Sequence, residues 1–301
     1  MRPFRRDDAE ALMPLFRELW PEEVRTPSGL VHWLEGQPER AAMRAWIAES
    51  DGEIAGFASG RLRWALQEEG VAQLRAGVRP AHRRRGIGTA LYEAAEQHVL
   101  DHGANRVEST IRDGDEDGRR FAERRGFRET RREQHWSLDV GSVDAGFPTV
   151  PEGVTIARLA DVRDREHELF DLYSSAERDM PDDHIHSMKF EDWLPETLGN
   201  PELDLDLSAV VLVAGAPVSF AWLITDREGG RADNEMTGTH RAFRRRGLAR
   251  LAKEATIAWT AEAGIETIST SNDTANADML RLNEHLGYRP TVLEISVAKS
   301  V

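Results

Sequence analysis

Apolar residues recur at helical spacing over residues 9–20 and again over residues 165–174, which predicts an amphipathic helix near the start of each half of the chain. Two short apolar runs separated by a glycine-containing turn follow in each half. They span residues 45–48 with 54–62, and residues 209–213 with 218–224, and both read as hairpins. Helical periodicity returns over residues 88–102 and 248–263, each closed by a glycine, Gly103 and Gly264, where a helix stop is expected. Short strands at residues 106–110 and 267–270 come next.

The same order of elements twice reflects a sequence repeat. Residues 81–90 (AHRRRGIGTA) match residues 242–251 (AFRRRGLARL), and Arg83 precedes Arg244 by 161 positions. The offset from Gly86 to Gly247, Gly126 to Gly287 and Phe127 to Tyr288 is also 161, a register that chance does not preserve. Upstream, residues 51–57 (DGEIAGF) resemble residues 214–220 (AGAPVSF). Residues 141–153, rich in glycine and proline and without period, read as a linker. Two α/β domains are therefore expected, residues 1–144 and 145–301, in keeping with a length of 301.

Composition narrows the chemistry. There is no cysteine, which excludes disulfides, cysteine zinc sites and a cysteine nucleophile, and no metal site is expected. A net charge of −14 argues against nucleic acid as a partner and suits a cationic small molecule. No apolar run is long enough for a membrane helix and the charged start lacks a signal core, so the chain reads as cytoplasmic with no membrane partner. Of 39 basic residues only Lys189, Lys253 and Lys299 are lysines. Asp179, Asp182, Asp183, His184 and His186 form an acidic-imidazole cluster without metal-ligand spacing. Trp46, Trp193, Trp222 and Trp259 read as core.

The chemistry-bearing segment is the loop that opens the third helix of each half, Arg83-x-x-Gly86-x-Gly88 and Arg244-x-x-Gly247-x-Ala249. Unpaired backbone N–H groups and the partial positive charge at a helix start suit a pyrophosphate. Glycine and alanine keep side chains out of its way, and the arginines can add charge-assisted bonds. The loop lacks the Gly-Lys-Ser/Thr of a Walker loop and the Gly-x-Gly-x-x-Gly of dinucleotide folds.

This loop, twice in register with the downstream Gly-Phe/Tyr pair, resembles the signature of the GCN5-related N-acetyltransferases, and the likeness covers almost the whole chain. It implies two tandem domains, each a mixed, mostly antiparallel sheet that splays open, flanked by helices, with acetyl-CoA in the splay. The tandem arrangement is similar to mycothiol synthases and to actinobacterial two-domain acetyltransferases.

The halves differ at the splay. Alternation along the strand at residues 233–239 puts Asp233, Glu235, Thr237 and Thr239 on one face. The family commonly uses a carboxylate on that strand as base, which singles out Glu235 ahead of Asp233; the corresponding residues of the first half, Leu74 and Ala72, cannot serve. The resemblance places acetyl-CoA against Thr237, Gly238 and Thr239, the loop residues Arg244, Arg245, Arg246, Gly247, Leu248 and Ala249, and the amides Asn272, Asn276 and Asn283. A second site would use Val78, Arg83, Arg84, Arg85, Gly86, Gly88 and Thr89. The tyrosine acid found in many family members is absent from both halves, at Ala122 and Asn283. Lys253, one turn into the helix, reads as steering the 3′-phosphate or capping solvent.

The expectation is direct acetyl transfer to a primary amine of a small molecule in the second domain of a monomer or homodimer, the first domain being a mainly structural copy. The alternatives are a mycothiol-synthase-like enzyme and a non-catalytic CoA-binding sensor or scaffold.

Overall fold

The structure is a computed structural model that describes residues 1–178 and 186–301. It divides into two compact units, Met1–Glu133 with Val292–Val301, and Gln134–Thr291.

In unit 1 the elements run β1 (Arg2–Pro3), α1 (Ala9–Leu19), α2 (Pro27–Glu35), β2 (Arg44–Ser50), β3 (Glu53–Leu62), β4 (Val71–Val78), α3 (Ile87–Asp101), β5 (Arg106–Arg112), α4 (Glu116–Glu123) and the start of β6 (Arg128–Asp139). Strands β1 to β5 lie in sequence order, antiparallel except that β4 and β5 are parallel. Unit 2 holds the end of β6, β7 (Val154–Arg158), α5 (Leu159–Val162), α6 (Glu166–Glu177), α7 (Phe190–Trp193), β8 (Ala209–Val213), β9 (Ala216–Asp226), β10 (Arg231–Thr239), α8 (Leu248–Glu262), β11 (Thr267–Asp273) and α9 (Ala277–His285). Its strands lie in the order β11-β10-β9-β8-β7, with β10 and β11 parallel.

The remaining strand, β12 (Arg289–Ser300), follows α9 yet completes unit 1: it pairs antiparallel with β5 from Glu294 opposite Arg112 to Ser300 opposite Arg106. Residues 134–139 of β6 in turn belong to unit 2, where the next residue, Val140, donates its N–H to the Glu266 carbonyl at 2.9 Å. The division thus differs from the boundary at 144/145. Linker composition marks where regular structure stops, whereas β6 runs unbroken through residue 133 and strand pairing decides the unit.

Each sheet is covered on both faces. In unit 1, α3 packs on Ala58, Ala72, Leu74 and Val107, while α1 and α2 cover Ile47 and Phe57. In unit 2, α8 covers Ala209, Ala221 and Leu223, and its Ala252 and Ala255 bring the helix close to the strands. The α6 and α7 side buries Trp193, Phe220, Trp222 and Met236. Burying side chains of this size is worth about 1.5–3 kcal/mol each.

The parallel pair opens after three residues in both units. β4 meets β5 only at Val71–Arg106, Ala72–Val107 and Gln73–Glu108. β10 meets β11 only at Arg231–Thr267, Ala232–Ile268 and Asp233–Ser269. Beyond these points lies the splay that the family likeness implied. Among the described residues no helix is long and apolar enough to cross a membrane.

Candidate active site

Both loops adopt one backbone path. Arg84 and Gly86 have φ of 63° and 82°, and Arg245 and Gly247 have φ of 60° and 76°. The two glycines are the N-caps of α3 and α8, and a Cβ on either would meet nothing within 4 Å. Their role is therefore the left-handed turn, and the open space beside them is what a phosphate needs. The first arginine of each triplet is tied to the end of the preceding strand by its Nε. Arg83 Nε donates to the Val78 carbonyl at 3.1 Å and Arg244 Nε to the Thr239 carbonyl at 3.0 Å, tying the loop to the strand end in both units.

The outer arginines separate the units. In unit 1 Arg84 pairs with Asp117, and Arg85 with Asp51 at 2.9 Å. In unit 2 no carboxylate partner is found for Arg245 or Arg246 among the described residues; Arg246 lies 5.2 Å from the Phe243 ring centroid. A groove of about 630 Å³ beside this loop is lined by Arg246, Gly247, Arg250, Glu254 and His285. Two uncommitted guanidinium groups at a helix start make this the more receptive anion site.

β10 carries a bulge between Asn234 and Met236, and the residue it displaces is Glu235. β4, in the corresponding place, pairs with β3 without a register shift. The bulge corrects the expected alternation. Asp233 lies opposite Ile224, whereas Thr237 lies opposite Ala221, three residues away on β9, so the two face opposite sides. Electrostatically Glu235 acts on Tyr173, whose phenol is pushed up first by burial and then by Glu177, Glu235 and Glu196. Asp233 acts on Lys253 and Tyr288 instead. Tyr173 stacks on Trp222, ring centroids 5.7 Å apart, so one wall near Glu235 is aromatic.

Asn234 holds the bulge and was not singled out from the sequence. It is buried, and its Nδ2 donates to the carbonyls of Trp222 and Met236 at 3.1 and 3.2 Å. Its Oδ1 accepts from Thr237 Oγ1 at 3.0 Å, and its carbonyl accepts from Thr270 Oγ1 at 3.1 Å. An asparagine in mid-strand is disfavoured by propensity, and that local conflict was the available signal.

The strand end is tight. Ser219 Oγ donates to the Gly238 carbonyl at 2.8 Å and lies 2.7 Å from Thr239 Oγ1. A Cβ on Gly238 would sit 2.4 Å from that of Ala176, so glycine here lets α6 approach the strand.

The three asparagines have separate duties. Asn276 caps α9, accepting from the Met279 N–H at 3.3 Å, as Asp115 caps α4. Asn283, fully buried, bonds to Asn272 at 2.6 Å and accepts from Lys253 Nζ at 2.9 Å. Lys253 is 1% exposed, which corrects its reading as a solvent cap or a 3′-phosphate guide, and burial, opposed by Asp233, pushes its amine down to about 7. Tyr288, also buried, lies under Lys253 with its centroid 4.8 Å from Nζ. His186 meets Glu177 at 3.3 Å, whereas Asp179, Asp182, Asp183 and His184 lie outside the described residues.

A splayed sheet entered twice by an anion-receptive helix start defines an acyl-CoA-dependent transferase. The chain belongs to the acetyltransferase (GNAT) family, whose model matches residues 9–127 and 166–288; it is an N-acetyltransferase that uses acetyl-CoA. It is 26% identical to the mycothiol acetyltransferase of Propionibacterium freudenreichii subsp. shermanii over 97% of this chain and 89% of that one. It is 25% identical to the mycothiol acetyltransferase of Nocardia farcinica over 86% and 84%. A solved tandem GNAT protein from the clavulanic acid biosynthesis pathway shares the fold, with a TM-score of 0.77, 20% identity and coverage of 99% and 97%.

Proposed function

We propose that unit 2 transfers the acetyl group of acetyl-CoA to a primary amine of a small molecule. The observation that supports this best is the bulge that sets Glu235 at the splay of the unit in which Arg245 and Arg246 have no carboxylate partner among the described residues. The amine nitrogen attacks the thioester carbonyl carbon, Glu235 accepts the proton released, directly or through water, and the carbon–sulfur bond breaks as the thiolate leaves. The α8 N-terminus with Arg245 and Arg246 anchors the pyrophosphate, so that binding energy far from the reacting carbon fixes its position. No cysteine is present to carry an acyl-enzyme, and transfer is direct.

A second reading, a mycothiol acetyltransferase, is favoured by a match that spans 97% of the chain at 26% identity. Offering the mycothiol precursor amine beside a panel of other amines separates the two.

Glu235→Gln should lower kcat by about 100- to 10,000-fold while calorimetry shows acetyl-CoA binding unchanged. Unchanged kcat would remove Glu235 from the chemistry. A number of acetyl-CoA sites and a kcat both unchanged by Gly247→Val would remove unit 2 as the working site.

A further inference from the structure

The repeat assigns no base to unit 1, because Leu74 and Ala72 stand where unit 2 has Glu235 and Asp233. The structure supplies a carboxylate from elsewhere in the chain. Beside the first loop lies a void of about 410 Å³ lined by Arg83, Arg84, Gly86, Gly88 and Thr89 among others. A second void, of about 160 Å³, shares Ala76, Gly77, Arg83, Asp115, Gly118 and Phe121 with it. The two form one channel from the helix start into the splay between β4 and β5. At the inner end, beside Trp20, Leu74 and Thr110, the wall is closed by Glu294 of β12.

Glu294 lies opposite Arg112 across the β5–β12 pair, so both side chains share a face. Arg112 reaches the α1 end on that face, bonding to the Leu19 carbonyl and to Glu22. Arg75 of β4 is likewise held by Glu23, packed 3.7 Å from the Trp20 ring centroid. Both arginines are thus committed to loop carboxylates. Thr110 hydrogen-bonds to Glu294, and burial, opposed by Arg75 and reinforced by Glu133 and Glu23, pushes its carboxyl up to about 7.

We propose that unit 1 is a second acyl-CoA site at which Glu294, delivered by the C-terminal strand, accepts the proton from a cationic amine acceptor. Its place in the channel matches the requirement: a carboxylate at the end away from the anion loop, on the side of the α1 loop, beside arginines already paired with Glu22 and Glu23. The acceptor binds as the ammonium and gives one proton to Glu294. The free amine attacks the thioester carbon, a nitrogen–carbon bond forms and the carbon–sulfur bond breaks. The second nitrogen proton goes to water, and the departing thiolate takes one from water. The turnover test of this inference rests on Glu235 as the base of unit 2, whereas the count of acetyl-CoA sites does not.

The test uses the full chain, with acetyl-CoA and three amines, tyramine, glucosamine and spermidine. Calorimetry should show two acetyl-CoA bound per chain, reduced to one by Gly88→Leu, a change that a helical backbone accepts. Glu235→Gln should leave slow acetylation of at least one amine, and adding Glu294→Gln should cut that remainder about 100-fold or more with both binding sites retained. One acetyl-CoA site insensitive to Gly88→Leu overturns the proposal. So does residual turnover unchanged by Glu294→Gln, or none at all in Glu235→Gln. Loss of a binding site along with turnover in Glu294→Gln makes the residue structural and overturns it too.

Discussion

Lys253 Nζ donates to Asn283 Oδ1 at 2.9 Å, out of solvent contact, at the positions that Tyr92 and Ala122 hold in the first repeat. A lysine only donates, so it fixes the Asn283 amide with oxygen inward and Nδ2 donating to Asn272 Oδ1. That leaves the Asn272 nitrogen as the donor end of the chain.

The lysine amine ionises near 10.5 when unfolded and near 7 when folded. Between these values the unfolded chain binds the extra proton, so stability rises with pH by up to about 1.4 kcal/mol per unit, and below pH 7 the full penalty stands. Urea melts of wild type and Lys253→Met at pH 7, 8 and 9 should show the wild type gaining on the variant as pH rises. Parallel pH curves would contradict it.

Asn234→Leu removes three hydrogen bonds around the bulge and leaves the Trp222 and Met236 carbonyls without their amide donor. A loss of about 1–3 kcal/mol of stability is expected. Activity should fall further than that loss accounts for, because Glu235 returns to the regular strand register; kcat measured well below the melting temperature separates the two effects.

Gly238→Ala should destabilise by about 1–3 kcal/mol and Gly77→Ala by less. The added methyl meets the Ala176 Cβ at 2.4 Å and the Phe220 ring at 2.6 Å in the first case, and the Leu19 Cδ1 at 2.7 Å and the Trp20 ring at 2.9 Å in the second, where each contact is longer. Thermal melts of the two variants would reverse this order only if α6 shifts more readily than a leucine rotamer.

Within the second triplet, Arg244→Ala and Arg245→Ala should part company. Arg244 latches the loop to Thr239, so its loss lowers stability and acetyl-CoA affinity together at every salt concentration. Arg245 has no such bond, and its loss should weaken acetyl-CoA several-fold at low salt, an effect that fades as salt rises. Calorimetry at two ionic strengths checks both.

The repeat and the loop were legible because backbone demands leave marks in sequence: glycine at a left-handed N-cap, a helix period after it, and a constant offset of 161; the splay came with the family likeness. The bulge was not legible. Period-two reasoning assumes an unbroken ladder, and an extra residue at Glu235 reverses the faces beyond it. The latch made by the first arginine of each triplet was not legible either. Their charge suggests an anion, but a guanidinium nearest a strand end satisfies the nearest carbonyl first, as Arg83 and Arg244 do. Glu294 was invisible from its own half, since it acts where the chain's other repeat is folded.

The borrowed end strand also sets a timetable. Val292–Val301 are synthesised after the whole of Gln134–Thr291, and unit 1 includes them. While the second repeat is being synthesised, β5 waits with the N–H and C=O groups of residues 106–112 unmatched by β12, an edge on which neighbouring nascent chains can add. The unit made first is thus closed only after the other has been made, and loss of residues 292–301 would leave its sheet open.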